Sequence, residues 1–230
     1  MRIAVISDIH SNLEALDAVI AALPQFDELY CLGDLVGYGP QPNEVVEKIL
    51  QLEPTVVLSG NHDHAVVTGD TEGFSTHAAK AVEWTRQQIK PENRDYLATL
   101  QPSCKVEKTR ISIGLFHGSP WSPLTEYIFP GLSESEARNL IFESRSSVIL
   151  LGHTHVPMLY SYGREMLANP GSVGQPRDGN PKASFALLTV SESSLSFEVE
   201  RVEYDVSTVA DKIVRVGLPK FLAERLYTGM

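Results

Sequence analysis

Short apolar runs in this chain end repeatedly in aspartate, asparagine or histidine, and no other feature of the sequence constrains the fold as much. Arg2-Ile3-Ala4-Val5-Ile6-Ser7 is followed by Asp8 and His10, and Glu28-Leu29-Tyr30-Cys31-Leu32 by Gly33 and Asp34. Thr55-Val56-Val57-Leu58-Ser59 leads into Gly60-Asn61-His62-Asp63, the run through Phe116 into His117, and the run through Leu151 into Gly152-His153-Thr154-His155. Unbroken apolar runs of this length read as strands buried on both faces. Between the first three lie helical spacings. Leu13, Leu16, Val19, Ile20 and Leu23 form one, with Ser11 or Asn12 to cap it and Pro24 to stop it, and Glu44 to Leu50 form the next. Strand–helix alternation implies parallel strands, whose carboxyl ends share one edge, where ligands bind. Five separate stretches therefore bring Asp, Asn and His to one place, and five of the seven histidines lie in them.

The second half changes character. Helical stretches near Ala78 to Ile89 and Glu92 to Leu100 precede strands near Lys105 to Thr109 and Ile111 to Phe116. A helix from about Glu134 to Ser144 separates these from strands near Val148 to Leu151, Pro157 to Ser161, Phe185 to Val190 and Leu195 to Tyr204. Short connections favour antiparallel pairing, so a second, mixed sheet is expected. The predicted fold is α/β: a four-layer α-β-β-α sandwich of two mixed sheets, with the polar cluster at the C-terminal ends of strands. At 230 residues it is expected to form one domain, residues 1–230. The stretch from Val206 to Met230 reads as helical, with Val209, Ile213, Val214 and Val216 apolar. Either it closes the sandwich or it faces a partner subunit; the oligomeric state is left open.

Composition excludes several functions. Acidic residues outnumber basic ones 29 to 19, for a net charge of −10, and no basic run offers duplex nucleic acid a surface. The longest apolar run, Ala18 to Leu23, is far short of the roughly 20 residues that span a bilayer. After Arg2 only Ile3 to Ile6 are apolar before Ser7 and Asp8, so a signal-peptide core is not expected. Cys31 and Cys104 have no metal-like spacing and read as free thiols in a reducing compartment. The expectation is a soluble, cytoplasmic protein.

The ordered series Asp8-x-His10, Gly33-Asp34, Gly60-Asn61-His62-Asp63, His117-Gly118 and Gly152-His153-Thr154-His155 resembles the calcineurin-like metallophosphoesterase superfamily. Asn169-Pro170-Gly171-Ser172-Val173 and Arg177 resemble its small bacterial and archaeal phosphodiesterase branch. The resemblance implies a binuclear centre of divalent transition metals: manganese, iron, nickel, cobalt or zinc. Asp8, His10 and His155 would hold one ion and Asn61, His117 and His153 the other, with Asp34 between them, one oxygen on each. It also implies hydrolysis of a phosphodiester or phosphoanhydride bond by a hydroxide bridging the metals, with His62 as general acid. The expected substrate is a small soluble phosphate ester, a nucleotide or dinucleoside polyphosphate among them.

One departure bears on substrate class. In the Ser/Thr protein phosphatases of the superfamily, Gly-Asp is followed by x-Val-Asp-Arg-Gly, which supplies an Asp to orient the histidine and an Arg to hold phosphate. Here the sequence runs Asp34-Leu35-Val36-Gly37-Tyr38. His62 must then be oriented otherwise, and Arg177 is the candidate for phosphate. Tyr38 is the candidate to contact substrate. With Trp121, Tyr127 and Phe129 it either stacks on a base or covers the protein's own core. Two other readings remain: a phosphomonoesterase, protein phosphatases included, and a scaffold that keeps the fold without catalysis.

Overall fold

Two five-stranded sheets carry the chain's apolar alternation. The computed structural model describes residues 1–191 and 194–230. The first sheet has the order β10-β9-β1-β2-β3, formed by Leu195–Val202, Ala183–Val190, Arg2–Ile6, Glu28–Cys31 and Val56–Val57. The second has the order β4-β5-β6-β8-β7, formed by Ser103–Lys108, Ile111–Phe116, Val148–Leu151, Glu165–Asn169 and Met158–Tyr162. In the first sheet β1, β2 and β3 are parallel, and in the second β5, β6 and β8 are parallel. The hairpins β4–β5, β7–β8 and β9–β10 are antiparallel, as their short connections require.

Alternate residues of each strand face the other sheet. Ile3, Val5, Tyr30, Ile113, Leu150 and Leu188 belong to one buried cluster between the sheets. The opposite face of the first sheet, through Ala4, Ile6, Leu29 and Cys31, packs on helices α1 (Leu13–Ala22) and α2 (Pro42–Leu52). Ile149, Leu151 and Leu167 bury the outer face of the second sheet beneath α6 (Glu134–Ser144). This is the four-layer sandwich. Helix starts follow local chemistry: the Asn12 side chain accepts from Ala15 N–H at α1, and Ser133 and Glu136 form a capping box at α6.

Three expectations need correction. The strands at 183–202 do not join the second sheet; β9 pairs antiparallel with β1 and extends the first. Strand β8 and helix α3 (Asn61–Thr68) were not foreseen. The first is only five residues long, behind a tight turn at Gly163, and the second opens on Asn-His-Asp-His, which carries no apolar stripe. The third strand is also shorter than expected, because only Val56 and Val57 pair with β2.

Helices α4 (Thr76–Gln88) and α5 (Pro91–Thr99) complete the side that carries α3. At the C-terminus α7 (Val206–Arg215), α8 (Lys220–Glu224) and a 3-10 turn (Arg225–Tyr227) fold onto the first-sheet side. Val209, Ile213, Leu222 and Leu226 share a cluster with Tyr38 and Ala78, whereas Val214 and Val216 stay exposed. Among the described residues no helix is long and apolar enough to cross a membrane.

Candidate metal centre

The parallel strands of both sheets end at one edge, and the loops that leave them are stitched together. Asp8 N–H donates to Gly33 O, His10 N–H to Asp34 O, Gly152 N–H to His117 O and Gly174 N–H to Asp8 O, all at 2.9–3.0 Å. Among the described residues, seven of the eleven non-glycine residues with positive φ lie here: Asp8, His10, Ser11, Asp34, Tyr38, His153 and His155. Each such conformation costs about 1–3 kcal/mol and persists only where its surroundings enforce it. Here the enforcement turns side chains from separate strands into a common space.

Asp8, His10, Asp34 and His155 present ligand atoms within 4.8 Å of one another, and so do Asp34, His117 and His153. All are buried. Asn61 adds its Oδ1, 3.2 Å from His117 Nε2. Asp34 is common to both groups: its Oδ2 lies 3.6 Å from His10 Nε2 and 3.4 Å from His117 Nε2. Its Oδ1 is already engaged, accepting from His62 N–H at 2.8 Å. Oδ2 thus lies nearest to the histidines of both groups, while Oδ1 also accepts a backbone N–H. Gly60 makes the approach possible, since a Cβ there would lie 2.0 Å from Asp34 Oδ1.

The donor set fits a divalent metal on chemical grounds. His10 Nδ1 faces Val36 O at 3.1 Å, His117 Nδ1 faces Leu32 O at 2.8 Å, and His155 Nδ1 faces Gln175 O at 2.5 Å. A carbonyl oxygen only accepts, so each Nδ1 carries a hydrogen and Nε2 is the atom each ring turns inward, with a bare lone pair whenever the ring is neutral. His10 and His155 then aim two lone pairs at each other across 3.0 Å. Among the described residues, Asp8 Oδ1 and His153 Nε2 are buried without a hydrogen-bond partner. Buried acceptors with no donor are costly unless a cation sits among them. His117 takes up a proton more readily than an ordinary imidazole. Burial opposes the charge there, but the Asp34 carboxylate outweighs it and holds the imidazolium up to about 9.

His62 lies beside this cluster rather than in it. Its ring packs against Tyr38, Phe74 and His10, with centroids 4.3, 4.8 and 4.9 Å away. Nδ1 has no partner, so no carboxylate orients the ring. Ring packing does so instead, with Gly37 behind, where a Cβ would come within 2.4 Å of Nδ1. Asp63 next to it accepts from Val36 N–H at 3.0 Å and Gly60 N–H at 2.9 Å, tying the two loops together. His64 is exposed, and His77 stacks on Phe221, away from the cluster.

A cleft of about 430 Å³ opens above, lined by Asn61, His62, Tyr38, Tyr127, His153 and Arg177 among others. Arg177 donates through Nη2 to Tyr38 Oη at 3.1 Å and Gln175 Oε1 at 3.2 Å. Tyr127 stacks on His153 with centroids 3.7 Å apart, while Trp121 and Phe129 remain exposed. Sequence reasoning gave no role to Asn169, which donates to Gly152 O at 2.7 Å and Thr154 Oγ1 at 3.1 Å and so braces the His153–His155 loop. It ends β8 as the other polar residues end their strands, so the same rule finds it once that strand is seen.

Residues 1–193 match the calcineurin-like phosphoesterase superfamily domain. The chain belongs to that family of phosphoric ester hydrolases. It is 39% identical over 250 residues to an uncharacterized protein of Methanocaldococcus jannaschii, a match covering 99% of this chain and 98% of that one. It is 28% identical over 199 residues to the phosphodiesterase YfcE of Escherichia coli, covering 82% and 87%. Among solved structures, a metallophosphoesterase from Sphaerobacter thermophilus superposes with a TM-score of 0.85 at 33% identity, covering 100% of this chain and 99% of that one.

The electrostatics predict how the metal-free protein responds to acid. Burial lowers the pKa of His10, His62, His153 and His155 below 6.5, so each is neutral when folded and protonates on unfolding. Stability from these four is present above about pH 6.5 and lost as pH falls. Asp8 and Asp63 act oppositely, because burial raises both to about 7. His117, held up to about 9, is already protonated over this range and adds little, so the four depressed histidines outweigh the raised groups. The chelator-treated protein is expected to lose about 2 kcal/mol between about pH 6.5 and about pH 5. Urea denaturation at each pH reads this; a flat midpoint over that range would contradict the assignment.

Proposed function

We propose that the chain is a binuclear phosphohydrolase, working as one domain over residues 1–230 and cleaving a phosphodiester or phosphoanhydride bond in a small compound. The observation that carries the reading is the pair of buried donor groups that share Asp34 Oδ2, each lined with lone pairs that suit a cation. In this reading Asp8, His10 and His155 hold one ion, Asn61, His117 and His153 hold the other, and Asp34 lies between. Imidazole mixed with carboxylate favours manganese, iron, nickel, cobalt or zinc over calcium; manganese is the ion to try first. Two such ions, when bound, would supply a nucleophile at neutral pH and neutralise phosphoryl oxygens.

The remaining work falls to the chain's own groups. Asn61, His62 and His153 form the floor of the cleft, where the scissile phosphate would rest. Burial holds His62 down to about 4 in the free protein, so its acid role depends on a bound phosphate, whose negative charge favours the imidazolium. Tyr38 and Arg177, hydrogen-bonded to each other, form one wall. Tyr127 offers a ring face on which a nucleobase can stack, which supports a nucleotide or dinucleoside polyphosphate as substrate. A cytoplasmic setting agrees with Cys31 and Cys104, both free.

Metal analysis of the purified chain, combined with hydrolysis of bis-p-nitrophenyl phosphate and p-nitrophenyl phosphate with and without Mn²⁺, tests this. The expected result is about two ions per chain and metal-dependent turnover, faster on the diester. Faster turnover of the monoester would move the reading to a phosphomonoesterase. A chain that neither binds metal nor hydrolyses either ester would leave the fold as a non-catalytic scaffold.

A further inference from the structure

The wall of the cleft holds a second arginine, and it comes from a part of the chain beyond the family domain. Arg225 opens the 3-10 turn near the C-terminus and lines the same cleft as Arg177, Asn61, His62 and His153. The two arginines are held as a unit. Gly179 N–H, two residues beyond Arg177, donates to Gly229 O at 2.9 Å. Gly229, at φ 65, packs so closely on this loop that a Cβ would fall 2.5 Å from the Asn180 backbone. Arg225 Nε donates to the main-chain oxygen of Met230, and its guanidinium lies 5.4 Å over the Phe221 ring. Asp178, the acidic neighbour of Arg177, is turned away and pairs with Arg201.

Among the described residues neither arginine forms an ion pair with a carboxylate side chain. Arg177 is satisfied by Tyr38 and Gln175, with Nε left buried and unpartnered. The carboxylate in the cleft wall, Glu72, is exposed. Like charges confined together repel; burial and the Arg177 charge pull Arg225 down to about 10. In a chain of net charge −10, two guanidiniums lining one cleft with no carboxylate side chain paired to either among the described residues mark a place for an anion.

The reacting phosphate does not account for them. A phosphodiester carries a single negative charge, and metal ions on the cleft floor would already balance it. Two more cations in the wall fit a substrate that brings further negative charge at a fixed distance from the scissile phosphorus. We propose that Arg177 and Arg225 together bind a second phosphate, so that the substrate is a compound with at least two linked phosphates rather than a simple diester. The proposal rests on the phosphohydrolase reading for the position of the first phosphate. Arg225 is then a specificity-determining residue contributed by the C-terminal turn. A guanidinium that holds phosphate through paired hydrogen bonds is worth about tenfold or more in affinity.

Calorimetry tests this without turnover. AMP and α,β-methylene-ADP, whose phosphorus bridge resists hydrolysis, are titrated into the Mn²⁺-loaded protein after free metal is removed. The wild-type chain is expected to bind the diphosphate at least tenfold more tightly than the monophosphate. Arg225→Gln should remove most of that preference, and Arg225→Lys, which keeps the charge without the planar fork, should restore part of it. Arg177→Gln should weaken the preference in the same direction, and thermal melting of each variant checks that it folds. A diphosphate preference that survives Arg225→Gln, or that is absent from the wild type, overturns the proposal. Ester hydrolysis is measured separately on the same samples. An Arg225-dependent preference in a chain that hydrolyses neither the esters nor ADP would sink the phosphohydrolase reading and leave the diphosphate site standing, and ester turnover without the preference would do the reverse.

Discussion

Asp34→Asn is expected to remove metal and activity together. The substitution changes one oxygen to an amide nitrogen and cancels the charge, leaving the volume almost the same. Asp34 Oδ2 is the atom that both donor groups share, so a neutral amide there weakens both at once. The free carboxylate is primed for this. Burial raises its pKa, yet His117 and His62 bring it well below the usual range, and it stays charged. Metal content by plasma emission spectrometry should fall from about two ions to one or none, with kcat/KM down by a factor of about a thousand or more. Retention of the full complement with normal turnover would show that Asp34 serves the loops alone, through its bond from His62 N–H.

His62→Ala separates binding from chemistry. The ring sits against Tyr38, Phe74 and His10 and ligates nothing in either donor group. Metal content should therefore remain, while turnover falls by about a hundredfold, as loss of a general acid implies. The loss should grow with the pKa of the leaving group: small for p-nitrophenolate, large for an alkyl alcohol. A loss independent of leaving group would assign His62 to packing, and an emptied metal site would place it among the ligands.

The sequence disclosed the chemistry of the floor better than that of the walls. Asp8, Asp34, Asn61, His117, His153 and His155 each follow an apolar run, and strand geometry alone carries such residues to one edge. Helix α6 was legible because Ser133 and Glu136 mark its start. Legibility stopped where no pattern of period 2 or 3.6 exists. Helix α3 opens on four polar residues, and its position follows from Asp63 bridging Gly60 and Val36. The way Asp34 divides its two oxygens depends on a backbone N–H from another loop. Arg225 lies far from every motif and reaches the cleft because Leu222 and Leu226 pack with Tyr38 and Ala78 and Gly229 meets the Asn180 backbone. Contacts of this kind are tertiary and leave no local trace.

Neither donor group belongs to one sheet. Asp8, His10 and Asp34 leave strands of the first sheet and His155 a strand of the second, while Asp34 in the other group faces His117 and His153 from the second. Any ion held there is a rivet through both sheets, and the spacing of its ligands is set by the thickness of the apolar layer beneath. Side chains such as Val5, Ile113 and Leu150, which never meet substrate, thereby act as shims that gauge the centre. A methylene added or lost in that layer would tilt one sheet against the other and detune the chemistry at the rim before it unfolded the protein.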